Sequence, residues 1–155
     1  MKSTLRARRR GVRGSMSVEF ALMLPVFFFV LYAVVTYGLI FAAQQNLTLA
    51  ATEGARAALN YQVSSSPQAA LTARAAAACT AATNLTGWLV GATCSSTPAG
   101  NCTYDATMYC IKVTVTYPYA SSPLIAPLPL VGMVLPVPTA LTGTATVQIS
   151  PVNII

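Results

Sequence analysis

The residues of this chain that could carry chemistry are four cysteines and three carboxylates. The cysteines are Cys79, Cys94, Cys102 and Cys110. Four thiols in an oxidising compartment form two disulfides, whereas four thiolates together can hold a tetrahedral zinc ion. Zinc sites of this kind usually contain a CxxC pair, and this chain has none. We therefore expect two disulfides and no metal.

The pairing of the cysteines remains open, because four cysteines allow three pairings. Cys94 and Cys102 bracket SSTPAGN, a segment rich in turn-forming residues. We favour a bridge across this segment, which leaves Cys79 to pair with Cys110. That second bridge would join a predicted helix to a predicted strand.

The sequence lacks the residue sets that catalysis needs. It has no histidine, and its acidic residues, Glu19, Glu53 and Asp105, are scattered. General acid–base pairs and activated nucleophiles that rely on histidine are thereby excluded. Neither a GxxxxGK[ST] nor a GxGxxG loop is present. We expect neither an enzyme nor a bound cofactor.

The net charge of +6 is confined to the N-terminus. Six basic residues lie within the first thirteen: Lys2, Arg6, Arg8, Arg9, Arg10 and Arg13. The rest of the chain has three basic and three acidic residues, and 3 − 3 = 0. A basic tail can bind nucleic acid or flank a membrane segment. The apolar run that follows favours the membrane, so no nucleic-acid partner is expected.

Residues 20–43 contain no charged side chain. As a helix this run is about 36 Å long, enough to cross a hydrocarbon core of about 30 Å. The apolar core of a secretory signal peptide has only about 7–15 residues. We therefore expect a retained single membrane span. Basic flanks stay in the cytoplasm, so the C-terminal body should be exported.

The remaining pattern predicts an α+β fold, with one long helix over residues 15–60 and a small antiparallel-sheet head over residues 61–155. Ser66 and Pro67 suit the N-cap and first position of a second helix that ends near Thr83. Strict apolar–polar alternation predicts strands within 108–117 and over 141–149. Residues 87–93 (GWLVGAT) predict a weaker third strand.

A connection of 23 residues, 118–140, separates the two strong strands. It carries six prolines and no charge. So long a connection without regular structure is unusual in a compact domain and is often functional. One interpretation is that it folds back to cover the sheet. The other is that it exposes an apolar patch to a neighbouring subunit or to the membrane surface.

The junction between the basic tail and the apolar run contains a specific spacing. Gly14 is followed by Ser15, and Glu19 is the fifth residue after the glycine. This arrangement resembles the class III signal of type IV pilins and pseudopilins. The resemblance implies that a prepilin peptidase cuts between Gly14 and Ser15, which makes residues 1–14 a discarded leader.

The match extends into the helix. Val18-Glu19-Phe20-Ala21-Leu22, then Leu24-Pro25, and later the Glu53-Gly54-Ala55-Arg56 segment, resemble TadE-like pseudopilins of tight-adherence (Flp) pilus systems. The resemblance implies a pilin-like fold and a minor structural subunit of a pilus or related secretion filament. Its partners would be the peptidase, other pilin subunits and the inner-membrane assembly platform.

The resemblance also implies a location and a role for Glu19. The chain would be a single-pass protein of the bacterial inner membrane with its head outside the cytoplasm. A carboxylate in lipid is costly unless it is paired. In a filament, Glu19 can pair with the new α-amino group at Ser15 of a neighbouring subunit. The alternative is an uncleaved, single-span anchor that presents the head.

Overall fold

The structure is a computed structural model that describes residues 13–128 and 135–154, with only the backbone at residues 13–15, 98–100 and 153. Its helices are α1 (Arg13–Ala57) and α2 (Pro67–Leu85), and its strands are β1 (Thr93–Asn101), β2 (Tyr109–Tyr117) and β3 (Leu141–Ile149). A short 3₁₀ turn, Pro151–Asn153, follows β3. The strands form one antiparallel sheet in the order β1-β2-β3. The predicted α+β architecture is confirmed.

Helix α1 belongs to two compact units, which divide between Val35 and Thr36. In the first unit most of the described apolar side chains are exposed, among them Phe20 (66% exposed) and Leu22 (70%), while Phe29 and Tyr32 are half-buried. Pro25 lies inside the helix without ending it. Within the described residues, Met16–Ala57 is the one helix long and apolar enough to cross a membrane.

In the second unit α1 buries a stripe of mostly small side chains. Leu47, Ala50, Ala51 and Ala58 are fully buried in the core. The three alanines follow Leu47 by three, four and eleven residues, which places all four side chains on one helical face. Since alanine side chains are short, neighbouring elements can approach the α1 backbone closely.

Helix α2 begins as predicted. The Ser66 hydroxyl accepts a hydrogen bond from the Ala69 N–H at 3.3 Å, and Pro67 occupies the first turn. Proline suits this position because its missing N–H would have no helical partner there. The helix continues to Leu85, and its buried side chains include Ala70, Leu71 and Ala78.

The centre of the sheet also follows the sequence pattern. In β2, Ile111, Val113 and Val115 are fully buried, while Lys112 between them is exposed. In β3 the exposed threonines alternate with the residues that face the core. One face of the sheet thus packs against the helices and the other meets solvent, as the period of two predicts.

The predicted third strand over 87–93 is wrong. Residues 87–91 form turns, and Gly91 has φ +94, a left-handed conformation that interrupts a strand. The actual strand, β1, comprises TCSSTPAGN. It pairs only with β2 and is an edge strand, where its Pro98 is tolerated.

The described parts of the proline-rich connection, 118–128 and 135–140, contain no helix or strand. Tyr119 is buried, and the Tyr117 hydroxyl donates a hydrogen bond to the Ser122 carbonyl. Leu128 and Val137 remain about half exposed. The connection therefore covers the core at its start and exposes apolar side chains further on. Leu130, Val131, Met133 and Val134 lie outside the described residues.

Candidate functional site

The predicted cleavage junction lies at the beginning of α1. The backbone of Gly14 and Ser15 is helical there, directly after Arg13. Whether a peptidase cuts this bond stays a prediction. A peptide bond must leave its helical conformation to enter a protease cleft, and the first turn of a helix frays most easily because its N–H groups lack helical partners.

Glu19 lies one turn further along α1 with its side chain exposed. Met16 and Leu22, three residues away on either side, are apolar and exposed. Among the residues that the structure describes, Glu19 has neither an ion-pair nor a hydrogen-bond partner. The ion pair found in the described part of the chain joins Glu53 and Arg56, further along α1. Within the described part of the chain the carboxylate therefore lies on an apolar helix surface without a partner, and it would need one in lipid.

Gly54, inside the Glu53-Gly54-Ala55-Arg56 segment, marks a close approach of α1 to α2 and the sheet. A Cβ atom at this position would lie 2.8 Å from the Ala78 carbonyl oxygen and 3.1 Å from the Ala82 Cβ. It would also lie 3.3 Å from Val113 of β2. The next residue, Cys79, forms a disulfide with Cys94, so the contact lies where α2 is covalently linked to β1. Only glycine fits here without a shift of backbone.

Gly143 marks a second close approach, between β3 and α1. A Cβ atom there would overlap the Leu47 carbonyl and lie 2.7 Å from the Thr48 nitrogen. The strand backbone therefore rests directly on the helix backbone. A glycine on the buried face of a strand often indicates such a contact, so the signal was present in the sequence.

Two hydrogen bonds attach α1 to the segment that leads into β3. The Tyr37 hydroxyl donates to the Pro136 carbonyl at 2.8 Å. The Gln44 amide, one residue beyond the apolar run, donates to the Thr142 carbonyl at 2.8 Å. The segment from Pro136 to Thr142, which is the end of the proline-rich connection and the beginning of β3, thus follows α1 from Tyr37 to Gln44. Sequence reasoning missed both contacts because they join residues about a hundred positions apart.

The four cysteines form two disulfides, but not with the favoured pairing. Cys79 pairs with Cys94, and Cys102 pairs with Cys110. The favoured bridge treated the residues between Cys94 and Cys102 as a turn, whereas they lie in strand β1. Eight extended residues span about 26 Å, far beyond the roughly 7 Å limit for Cα atoms in a disulfide.

Each disulfide has a distinct structural position. Cys79–Cys94 joins α2 to the beginning of β1, with a Cα–Cα distance of 5.5 Å. Cys102–Cys110 closes the turn between β1 and β2, with a Cα–Cα distance of 5.0 Å. In that same turn Asp105 accepts hydrogen bonds from the Thr107 hydroxyl and backbone N–H, which lower the pKa of its carboxyl group. The polar edge strand is thereby fastened at both ends.

Arg74 is a buried cation that the sequence did not single out. It is only 2% exposed on α2 and donates a hydrogen bond to the Ile154 carbonyl at 3.4 Å. It also lines a cleft with Leu59, Tyr61 and Ile149. An alanine-rich helix gives no local sign that its one arginine faces inward. Among the described residues no group of three His, Cys, Asp or Glu side chains is placed to hold a metal ion.

Comparison with known proteins identifies the N-terminal region. Residues 14–56 match the family of TadE-like proteins. The match begins at Gly14, where the cut is predicted, and ends at Arg56 of the Glu53-Gly54-Ala55-Arg56 segment. The predicted TadE-like resemblance is confirmed for this region. No curated protein and no solved structure gave a match to the chain.

Proposed function

We propose that this chain, with its TadE-like residues 14–56, is a minor pilin or pseudopilin of a tight-adherence (Flp-type) pilus or related secretion filament. The TadE-like match supports a pilus-associated structural protein rather than an enzyme. Residues 57–155 lie beyond the match, so the head would give this subunit its individual surface.

The observation that carries the proposal is the first unit of α1. Most of its described apolar side chains are exposed, and Glu19 is exposed among them without a partner in the described chain. Such a surface is stable only in lipid or against other apolar helices. A subunit that moves from a membrane into a helical filament core meets both surroundings in turn.

Processing follows from the junction. A prepilin peptidase would cut between Gly14 and Ser15 and remove all six basic leader charges. The cut leaves an α-amino group at Ser15 and a carboxylate at Glu19. Opposite charges desolvated together stabilise each other, whereas either one alone in an apolar core is costly. Glu19 of one subunit would therefore pair with Ser15 of the next.

The proposed location follows from charge and length. The chain would cross the bacterial inner membrane once, with its N-terminus in the cytoplasm, because basic flanks stay on that side. The two disulfides fit a head outside the cytoplasm, where oxidising conditions prevail. Besides the peptidase, the partners would be other pilin subunits and the assembly platform of the inner membrane.

The variant Glu19→Gln tests the pairing, because it keeps the side-chain size and removes the charge. We expect normal cleavage but at least a roughly tenfold loss of incorporation into sheared filaments, since an unpaired buried amine costs more than the 1.4 kcal/mol that equals a factor of ten. Glu53→Gln is the matched control, since it removes one negative charge from an exposed position of the same helix. Equal incorporation of both variants would refute the role of Glu19.

An uncleaved single-span anchor remains the second candidate. It is favoured by the second unit, Thr36–Ile155, whose core and two disulfides lie within one chain and need no filament for stability. The two candidates differ in the N-terminus of the membrane-bound chain. The filament subunit begins at Ser15, and the anchor retains Met1 to Gly14.

A further inference from the structure

The proline-rich connection lies beside the end of the apolar run. Tyr37, which donates to the Pro136 carbonyl, is the eighteenth of the 24 charge-free residues 20–43. A membrane span needs about 20 apolar residues. Counted from residue 20, the outer boundary of the hydrocarbon therefore falls between Tyr37 and Ala43. The segment that follows α1 from Tyr37 to Gln44 must lie at this boundary.

The same part of α1 is already covered within the second unit. Thr36 is 4% exposed, Ile40 is 9% exposed and Ala43 is fully buried, although all three belong to the apolar run. Lipid cannot reach this face of the helix. The proline-rich connection, which is attached here through Tyr37 and Pro136, occupies space that lipid would otherwise fill. Its own outer surface therefore faces the surroundings of α1.

That outer surface is apolar. Leu128 is 47% exposed and Val137 is 45% exposed, and no residue of 118–140 carries a charge. The connection also has six prolines, which lack a backbone N–H. Fewer unpaired donors lower the cost of placing irregular backbone near lipid, where each unsatisfied polar group is expensive.

We propose that the described flanks of this connection, residues 118–128 and 135–140, rest in the extracytoplasmic face of the phospholipid bilayer, with Leu128 and Val137 in the headgroup–acyl boundary. The proposal rests on the membrane span of the proposed function. Tyr37 fixes the depth of the segment, since an aromatic side chain with a polar tip suits this zone. Lipid is the favoured occupant because the Tyr37–Pro136 hydrogen bond holds the segment beside the membrane span within each single chain.

The opposite end of the head gives an internal control. Gly143 of β3 rests on Leu47, and Ile149 at the other end of β3 lines the same cleft as Leu59. Strand β3 therefore runs along α1 away from Tyr37. The end of α1 at Ala57 is 20 residues beyond Tyr37, which is about 30 Å along the helix, and Leu59 follows it. Val152, which lines that cleft and is 86% exposed, should remain in water.

Fluorescence in brominated vesicles tests the placement. The chain has a single tryptophan, Trp88, and the variant Trp88→Phe gives a dark background. Full-length Trp88→Phe chains that also carry Val137→Trp, Leu128→Trp, Val152→Trp or Phe28→Trp are reconstituted in phosphatidylcholine–phosphatidylglycerol vesicles with brominated acyl chains. Thiol counting verifies that both disulfides have formed.

We expect bromine to quench Val137→Trp and Leu128→Trp by about twofold, as for side chains in the interfacial zone, and to leave Val152→Trp unchanged. Phe28→Trp, within the span, must also be quenched. If Phe28→Trp is quenched and the two loop variants are not, the lipid contact is refuted while the span stands. If Phe28→Trp is not quenched, the membrane part of the proposed function fails first.

Two further outcomes decide between occupants. In one outcome the loop tryptophans are not quenched by bromine but are shielded from acrylamide, and the shielding increases with protein concentration. This result would show that a second copy of the chain covers the loop, and it would overturn the proposal. If Trp88→Phe does not fold, the same contact can be tested by placing a photo-crosslinking amino acid at position 137 or 152 of the otherwise native chain. Crosslinks to lipid at 137 and none at 152 support the placement, and the reverse contradicts it.

Discussion

At the scale of single residues, two glycines determine how closely the second half of α1 packs into the head. Gly54 brings the helix against the Ala78 carbonyl, and Gly143 brings β3 onto the Leu47 carbonyl. Gly54 lies within the range that matches TadE-like proteins, and in this chain the small residue has a packing reason. A side chain at either position must displace backbone, which a rigid core resists.

Gly143→Ala should therefore destabilise the full-length chain strongly. The added methyl group overlaps the Leu47 backbone, and overpacking of this kind costs about 3 kcal/mol or more. Gly87→Ala is the control, because nothing lies within 4 Å of a Cβ atom there. Urea denaturation of both variants in detergent, followed by circular dichroism, measures the difference. Equal midpoints for the two would contradict the close contact.

At the scale of elements, the edge strand β1 accounts for the cysteine chemistry. It is polar, contains Pro98, and pairs only with β2. One disulfide fastens its beginning to α2 and the other fastens the turn after it to β2. Two covalent ties of a strand with few apolar contacts compensate for the burial that it lacks.

Paired serine variants test this pairing. Cys79→Ser with Cys94→Ser, and separately Cys102→Ser with Cys110→Ser, should each leave no free thiol, because each removes one complete disulfide. Cys94→Ser with Cys102→Ser should leave two free thiols. Alkylation of the unreduced, unfolded chains and intact mass measurement count them. The opposite result would restore the bridge across SSTPAGN.

The attachment of the proline-rich connection to α1 is a second element-scale feature. Tyr37→Phe removes the hydroxyl that donates to Pro136 and should loosen the connection, at a cost of about 1 kcal/mol. Hydrogen exchange at the Ala120 N–H, which bonds to the Thr139 carbonyl, should become about fivefold faster if the two flanks of the connection open together. Tyr61→Phe, at an exposed tyrosine, should leave it unchanged. Unchanged exchange in both would show that Tyr37 does not hold the segment.

At the scale of the whole molecule, the parts that sequence predicted are those whose signals are local. The capping of α2 by Ser66 and the alternation of β2 and β3 depend on neighbouring residues and were correct. Strand β1 was missed because its polar residues form a strand only by pairing with β2, and the disulfide pairing was missed with it. The Gly14–Glu19 spacing could be read because its residues are neighbours in the sequence, whereas the Tyr37–Pro136 contact joins residues 99 positions apart and required the fold.

The central claim, that this chain with its TadE-like residues 14–56 is a processed filament subunit, is tested most directly by the mass of its mature N-terminus. The chain is expressed with a prepilin peptidase, recovered from the membrane fraction and measured intact and by N-terminal sequencing. The account predicts a chain that begins Ser15-Met16-Ser17, and a Gly14→Glu variant that keeps its leader. A wild-type chain that retains residues 1–14 in the presence of active peptidase would contradict the account and leave the uncleaved anchor.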